Sequence, residues 1–358
     1  MIPQFEPWLG DEELAQLTET IKANWITGGP KVKEFERQMA GLCGVKHAIA
    51  ICNGTLALYV GLKAMGIGEG DEVIVPDFTF IASANSVVMA GATPILVDID
   101  PRTFNIDPES TEKAITRKTK AVMPVHIYGQ AADMDAICAI AKKRRLLLIE
   151  DAAQGIGVKF MGRPVGGFGD VGCLSFYADK TMTTGEGGMV LTNDDKLAEN
   201  CLILKHQGRT GRGMYFHEHI GYNFRLTDLQ AAIGLAQLSK LPTIIERKKK
   251  NEKLYRDLLA GVDAVEFPYI DSRGFNVPFR INIMVDDPES LSTFLNENEI
   301  GSRRFFFPLH QQPCYQIKGE FRNSVKAYQR GLSLPSSVKL TEDEITFITD
   351  KIREFYRA

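Results

Sequence analysis

The feature that most constrains this chain is a repeated alternation in its first two-thirds. Short, continuously apolar runs alternate with segments of helical periodicity. The runs are HAIAIC (47–52), EVIVP (72–76), TPILVD (93–98), KAVMPV (120–125), RLLLIED (145–151), GCLSF (172–176) and GMVLT (188–192). Runs without polar alternation are what strands buried on both faces look like. Between them, TLALYVGLKAMG (from 55), ASANSVVMAG (from 82) and DMDAICAIAKKRR (from 133) have helical texture. That pattern predicts an α/β fold, a large mostly parallel seven-stranded sheet with helices on both faces. In such sheets, ligands bind beyond the carboxyl ends of the strands.

Near residue 240 the texture changes. KLPTIIERKKKNEKLYRDLL predicts a long, charged, amphipathic helix starting at Pro242. VPFRINIMVD (277–286) and ESLSTFLNENEIGSRR (289–304) then read as strand and helix, and a last helix is expected from Thr341. The division expected is a large domain over 1–240 and a small C-terminal α+β domain over 241–358. The basic run Arg247 to Lys250 reads as a solvated helix face. With a net charge of −3 over 358 residues, the chain carries no electrostatic footprint for nucleic acid. No apolar stretch approaches the ~20 residues of a membrane helix, and MIPQFEPWLG lacks the form of a signal peptide. Six scattered cysteines without a C-x-x-C pair read as reduced cysteines of a cytoplasmic protein.

The residues able to do chemistry stand at the expected carboxyl ends. After the first strand, Asn53, Gly54 and Thr55 precede a helix; Gly54 permits a sharp turn and Thr55 can cap, which exposes amides suited to a phosphate or is simply an N-cap. After the second, Phe80 stands at the rim, over a planar ligand or in the core. At the end of the fifth, Glu150 and Asp151 close an apolar strand, followed by Gln154. A carboxylate there is costly unless paired, and a protonated ring nitrogen is one partner; holding a loop is another. After the sixth, Ser175 is followed by Lys180 in SFYADKTMTTGEGG, which is either a surface charge or a nucleophile. Taken together, a phosphate cradle, an aromatic plate, an acid and an amine are the requirements of pyridoxal 5'-phosphate. There is no P-loop, and the close pair His217 and His219 has no matching set of metal ligands, so no metal is expected.

These residues sit in motifs that resemble the DegT/DnrJ/EryC1/StrS family of sugar aminotransferases over nearly the whole chain. The motifs are NGTLAL, VIVPDFTFIASANSV, GATPILVDIDPRTFNID, PVHIYGQAADMDAI, IEDAAQ, SFYADKTMTTGEGGMV and GYNFRLTDLQAAIGLAQL. The resemblance implies the fold-type-I architecture of aspartate aminotransferase. It implies that Lys180 bonds the cofactor's aldehyde, Asp151 meets its ring nitrogen and Gln154 its ring hydroxyl. Gly54, Thr55 and Ser175 would hold the phosphate, and Phe80 would stack. Asn223 would reach the phosphate of a neighbouring subunit, so the resemblance implies a homodimer with shared sites. Trp25, Ile26, Thr27 and His310 would lie near the sugar, and Arg209, Arg212 and Arg225 near its diphosphate. The implied substrates are L-glutamate and a nucleotide-linked 4-keto-6-deoxyhexose, with GDP favoured. Where the family has tyrosine or valine beside PLH, this chain has RRFFFPLH, and three phenylalanines are expected to reshape the sugar pocket. A related branch is a dehydratase with histidine in place of the lysine; Lys180 favours transamination. A non-catalytic regulator on the same fold is the other open class.

Overall fold

The computed structural model describes residues 1–210 and 215–357. All seven apolar runs form strands of one sheet: β1 (His47–Ile51), β2 (Glu72–Pro76), β3 (Thr93–Val97), β4 (Thr119–Val122), β5 (Leu147–Asp151), β6 (Val171–Ser175) and β7 (Gly188–Thr192). Their order is β1-β7-β6-β5-β4-β2-β3. Neighbours pair in parallel from β6 through β5, β4 and β2 to β3, whereas β7 is antiparallel to both β1 and β6. The antiparallel insertion brings Gly188, the start of β7, beside Ile51 and Ser175, the ends of its neighbours.

Alternate side chains on each strand enter different apolar cores. Ile74, Leu148, Met189 and Leu191 belong to one, while Val73, Val75, Ile149 and Val190 belong to the other. The first is closed by α2 (Pro30–Cys43), through Phe35 and Met39. The second is closed by α3 (Gly54–Ala64) and α4 (Ala82–Met89). Burial on both faces is why these strands read as unbroken apolar runs.

The long helix α5 spans Asp228–Leu258 and contains Pro242 in its interior. It therefore starts fourteen residues before the expected proline start (242 − 228) and crosses the expected boundary at 240. Its true start is a capping box: the Thr227 hydroxyl accepts from Gln230 N, and the Gln230 side chain accepts from Thr227 N. Pro242 gives up one backbone hydrogen bond, and the helix is held through this region by α1 (Asp11–Lys22) and α2.

The C-terminal unit has an antiparallel sheet, β8 (Ile281–Met284), β9 (Arg303–Arg304) and β10 (Gly331–Leu334), in the order β8-β10-β9. With α6 (Glu342–Phe355) it encloses its own core around Tyr255, Ile283, Leu291 and Ile348. The chain's first residues pack here too. Ile2 bridges Ile300, and Ser336 N donates to Gln4 O at 3.1 Å. Residues 1–6 thus join the unit that the sequence places at the other end of the chain.

Candidate active site

The carboxyl ends of the strands open onto a cavity of about 880 Å³. Gly54, Thr55, Phe80, Asp151, Gln154, Ser175 and Lys180 all line it. The sheet order gathers them: β1, β6 and β5 are near neighbours, and β2 lies one strand beyond β4.

The phosphate-like corner is built by close approach. A Cβ on Gly54 would stand 2.8 Å from Ser175 Cβ, and one on Gly188 would stand 2.3 Å from Asn53 O. Gly54 has no positive φ, so it is needed for the nearness of β6 and not for the sharp turn expected. The cap of α3 is Asn53, whose Oδ1 accepts from Leu56 N at 2.9 Å, and not Thr55. That leaves the Thr55 hydroxyl and the first amides of α3 without intrahelical partners.

Glu150 and Asp151 are consecutive and point to opposite faces of the sheet. Glu150 is structural: its oxygens accept from Gly166 N, Phe168 N and Gly169 N and meet Nε2 of the fully buried His126 at 3.0 Å. Asp151 lines the cavity. Its Oδ2 accepts from Ser83 Oγ at 2.7 Å and its Oδ1 from Ala153 N at 3.1 Å. Gln154 Oε1 accepts from Tyr128 N at 2.6 Å, which fixes the amide and leaves Nε2 as its free donor.

The loop carrying Lys180 is tied down. Lys180 N donates to Tyr177 O, while Thr183 Oγ1 and Thr184 N both donate to Phe176 O. The Lys180 side chain is 14% exposed, its Nζ 3.7 Å from Asp179 Oδ1 and 4.5 Å from the centre of the Phe279 ring. Burial pushes its pKa below that of an ordinary lysine, partly offset by Asp179 and reinforced by Arg280. A larger fraction of neutral amine follows, as a nucleophile needs.

The donor set fits pyridoxal phosphate. The amides and hydroxyls around Gly54, Thr55 and Ser175 suit its phosphate, buried Asp151 suits its ring nitrogen, Gln154 Nε2 suits its hydroxyl, and Lys180 suits its aldehyde. Phe80, 56% exposed, stands at the rim with its ring 6.2 Å from that of Phe306.

Other expected residues lie elsewhere. Trp25, Ile26, Thr27, Asn223 and Arg225 are exposed and do not line this cavity. Asn223 Oδ1 accepts from Arg225 Nε at 2.9 Å. His310 is also outside it, its Nδ1 2.7 Å from Oδ2 of buried Asp77. Arg209 lies over the Tyr215 ring, and Arg212 falls outside the described residues. Of the three phenylalanines, only Phe306 reaches the cavity. Phe305 is buried against Phe78 and Tyr128, and Phe307 packs on Tyr328.

Sequence reasoning passed over Ser83, Asp179, Phe279, Arg280 and Arg303. A signal for Arg280 existed: it is the one charge within VPFRINIMV, an otherwise apolar or amide-bearing strand run.

Comparison with known proteins agrees with this geometry. The description "DegT/DnrJ/EryC1/StrS aminotransferase family" matches residues 7–353. The chain is similar to GDP-perosamine synthase of Vibrio cholerae, 40% identical over 368 residues and covering 100% of both chains. It is similar to GDP-perosamine synthase of Caulobacter vibrioides, 43% identical, covering 95% of this chain and 94% of that one. Among solved structures it resembles DesV of S. venezuelae, with a TM-score of 0.93 and 33% identity, covering 97% and 95% of the two chains.

Proposed function

From the premise that this chain belongs to the DegT/DnrJ/EryC1/StrS aminotransferase family, we propose that it moves the amino group of L-glutamate to C4 of a nucleotide-linked 4-keto-6-deoxyhexose. That the chain is a sugar aminotransferase, and that its cofactor is pyridoxal phosphate, follows from the family itself. The finer reading takes GDP-4-keto-6-deoxy-D-mannose as the acceptor and GDP-perosamine as the product, made for a surface polysaccharide such as O-antigen. It is supported by the names of relatives 40% and 43% identical over nearly their full length. The observation that carries the chemistry is the single cavity joining Lys180, Asp151, Gln154, Ser175 and the start of α3.

When bound, pyridoxal phosphate supplies an aldehyde that takes up the amino group and a ring that holds the electron pair of a broken C–H bond. This chain's residues do the rest. The amides of Gly54 and Thr55 and the Ser175 hydroxyl bind the phosphate. Asp151 holds a proton at the ring nitrogen, and Ser83 and Ala153 N orient the carboxylate. Lys180 Nζ, with its lowered pKa, moves the proton between the substrate carbon and the cofactor carbon. The Lys180 side chain is mostly buried, which limits the water around that transfer.

The reading includes a homodimer. Asn223, which the family resemblance assigns to a neighbouring subunit's phosphate, is exposed and lies off its own cavity, which supports a site shared between two copies. A cytoplasmic location belongs to the same reading; no described helix is long and apolar enough to cross a membrane.

The test is a mass spectrum of products from GDP-, UDP- and dTDP-linked 4-keto and 3-keto sugars with glutamate. Amination of the GDP-linked 4-keto sugar is expected. Preference for a 3-keto sugar overturns the C4 assignment, and preference for UDP or dTDP overturns GDP alone.

A further inference from the structure

Beside Lys180 the cavity holds an ion cluster whose charges do not balance. Asp179 is one carboxylate among three cations: Lys180 Nζ at 3.7 Å, Arg280 Nη2 at 3.3 Å and Arg303 Nη1 at 3.8 Å. Even with Lys180 neutral, two guanidinium groups face one carboxylate.

The cluster is also unsatisfied in hydrogen bonds. Arg280 is 6% exposed, and its Nη1 has no hydrogen-bond acceptor among the described residues. Asp179 Oδ1 likewise has no donor within hydrogen-bond distance. A buried guanidinium whose Nη1 has no acceptor stands ready for a second planar acceptor. The Phe279 and Phe306 rings lie 5.0 and 5.5 Å from its central carbon and keep the surroundings apolar. In such surroundings an anion would be held strongly.

The position selects the anion. The carboxylate of Asp179 alone bridges Lys180 Nζ and the guanidinium, so Arg280 lies within one carboxylate's span of the nitrogen where chemistry occurs. An α-amino acid carries a carboxylate on the same carbon as its amine, and so reaches both groups at once. A nucleotide-linked 4-keto sugar carries its charge on the diphosphate at C1, across the ring from the reacting C4. It presents only neutral oxygens and carbon to this corner.

We propose that Arg280 leaves Asp179 to hold the α-carboxylate of the amino-acid donor, with Arg303 as an outer cation, and pairs again with Asp179 when the keto-sugar occupies the same space. Asp179 is then an internal stand-in for the donor's carboxylate. It lets one cavity accept an anionic and a neutral group in turn. The donor half rests on the aminotransferase assignment, and the alternation rests on the sugar reading above.

The holoenzyme's cofactor absorbance follows each half-reaction separately. In R280Q, half-saturating glutamate is expected to rise at least tenfold more than half-saturating keto-sugar, with R280K recovering part of the loss. D179N has the opposite sign: glutamate half-saturation falls, because its competitor for Arg280 is gone, while that of keto-sugar rises. Calorimetric titration of wild-type holoenzyme with glutarate, which cannot react, should show binding that R280Q abolishes. Equal losses in both half-reactions for R280Q, or a loss confined to the sugar, overturn the proposal. So does D179N weakening glutamate. If R280Q fails to fold, R280K and D179N carry the test. An enzyme that accepts glutamate but no 4-keto sugar refutes the sugar reading, and the glutamate arms still decide Arg280.

Discussion

Ser83, in the first turn of α4, donates its hydroxyl to Oδ2 of Asp151 at the end of β5, at 2.7 Å and out of solvent. The bond orients a carboxylate whose other oxygen is held by Ala153 N. A hydrogen bond to a charged group contributes roughly 1.5–3 kcal/mol. Ser83→Ala should therefore weaken cofactor binding or turnover by about ten- to a hundredfold. Asp151→Asn should cost far more in turnover than in cofactor retention, because it removes the charge and keeps the shape. Equilibrium binding of cofactor, followed by absorbance, separates the two effects; full activity in Asp151→Asn would refute the role.

Borohydride reduction of the holoenzyme, followed by peptide mapping, should place the pyridoxyl group on Lys180 and on no other lysine. The lowered pKa gives this a pH signature. Burial disfavours the charged ammonium, so the amine loses its proton below the usual 10.5. Capture of pyridoxal phosphate by the apoprotein should rise with pH and level off before that value. A rise continuing to pH 10.5 would describe a solvated lysine.

Gly54 and Gly188 are held by close contact rather than by backbone conformation. Gly188→Ala puts a methyl group 2.3 Å from Asn53 O, and Gly54→Ala puts one 2.8 Å from Ser175 Cβ. Overpacking of this kind costs about 1–3 kcal/mol and should displace the phosphate corner. Both variants should lose cofactor on dialysis more readily than wild type. Adding Ser175→Gly to Gly54→Ala should recover thermal stability and leave cofactor affinity low, since the serine hydroxyl is lost with the clash.

Lys248, on α5, donates from Nζ to Pro278 O and Phe279 O, at 3.1 and 3.3 Å, just before Arg280. Burial pushes its pKa down to about 8 from an ordinary 10.5. Between those values the unfolded chain binds more protons than the folded one, so this group makes stability rise with pH. Its cost is fully present below pH 8 and is relieved as pH approaches 10.5. The stability of wild type relative to Lys248→Met should thus increase from pH 7 to pH 10 in denaturant titrations. A difference that is flat across that range would contradict the assignment.

Mixing tests the shared site. Lys180→Ala and Asn223→Ala chains, each inactive alone, should regain activity when unfolded together and refolded, since one of two sites then has both residues intact. No recovery, with heterodimers verified by mass, would place Asn223 outside the partner's site.

The sequence by itself determined the sheet and many of the residues that line the cavity. Strands buried on both faces must be apolar throughout, so all seven were visible as runs. Lys180, Asp151, Ser175 and Gly54 stood out because each stands at or just past the end of such a run, where a polar or flexible residue is out of character. Tertiary structure decided what local pattern cannot carry. Glu150 and Asp151 are adjacent and chemically alike, yet one holds a loop and the other faces the cavity, because the pleat turns them to opposite sides. Of Phe305, Phe306 and Phe307, just past β9, Phe306 alone lines the cavity, which tertiary packing decides. Pro242 looked like a helix start and lies inside α5, where packing on α1 and α2 outweighs one lost hydrogen bond. Arg280 stands 101 residues from Asp179 in sequence and 3.3 Å from it in space. No periodicity encodes that meeting. It arises because the small unit's strand enters beside the open end of the large sheet, an arrangement set by burial of apolar surface over the whole molecule.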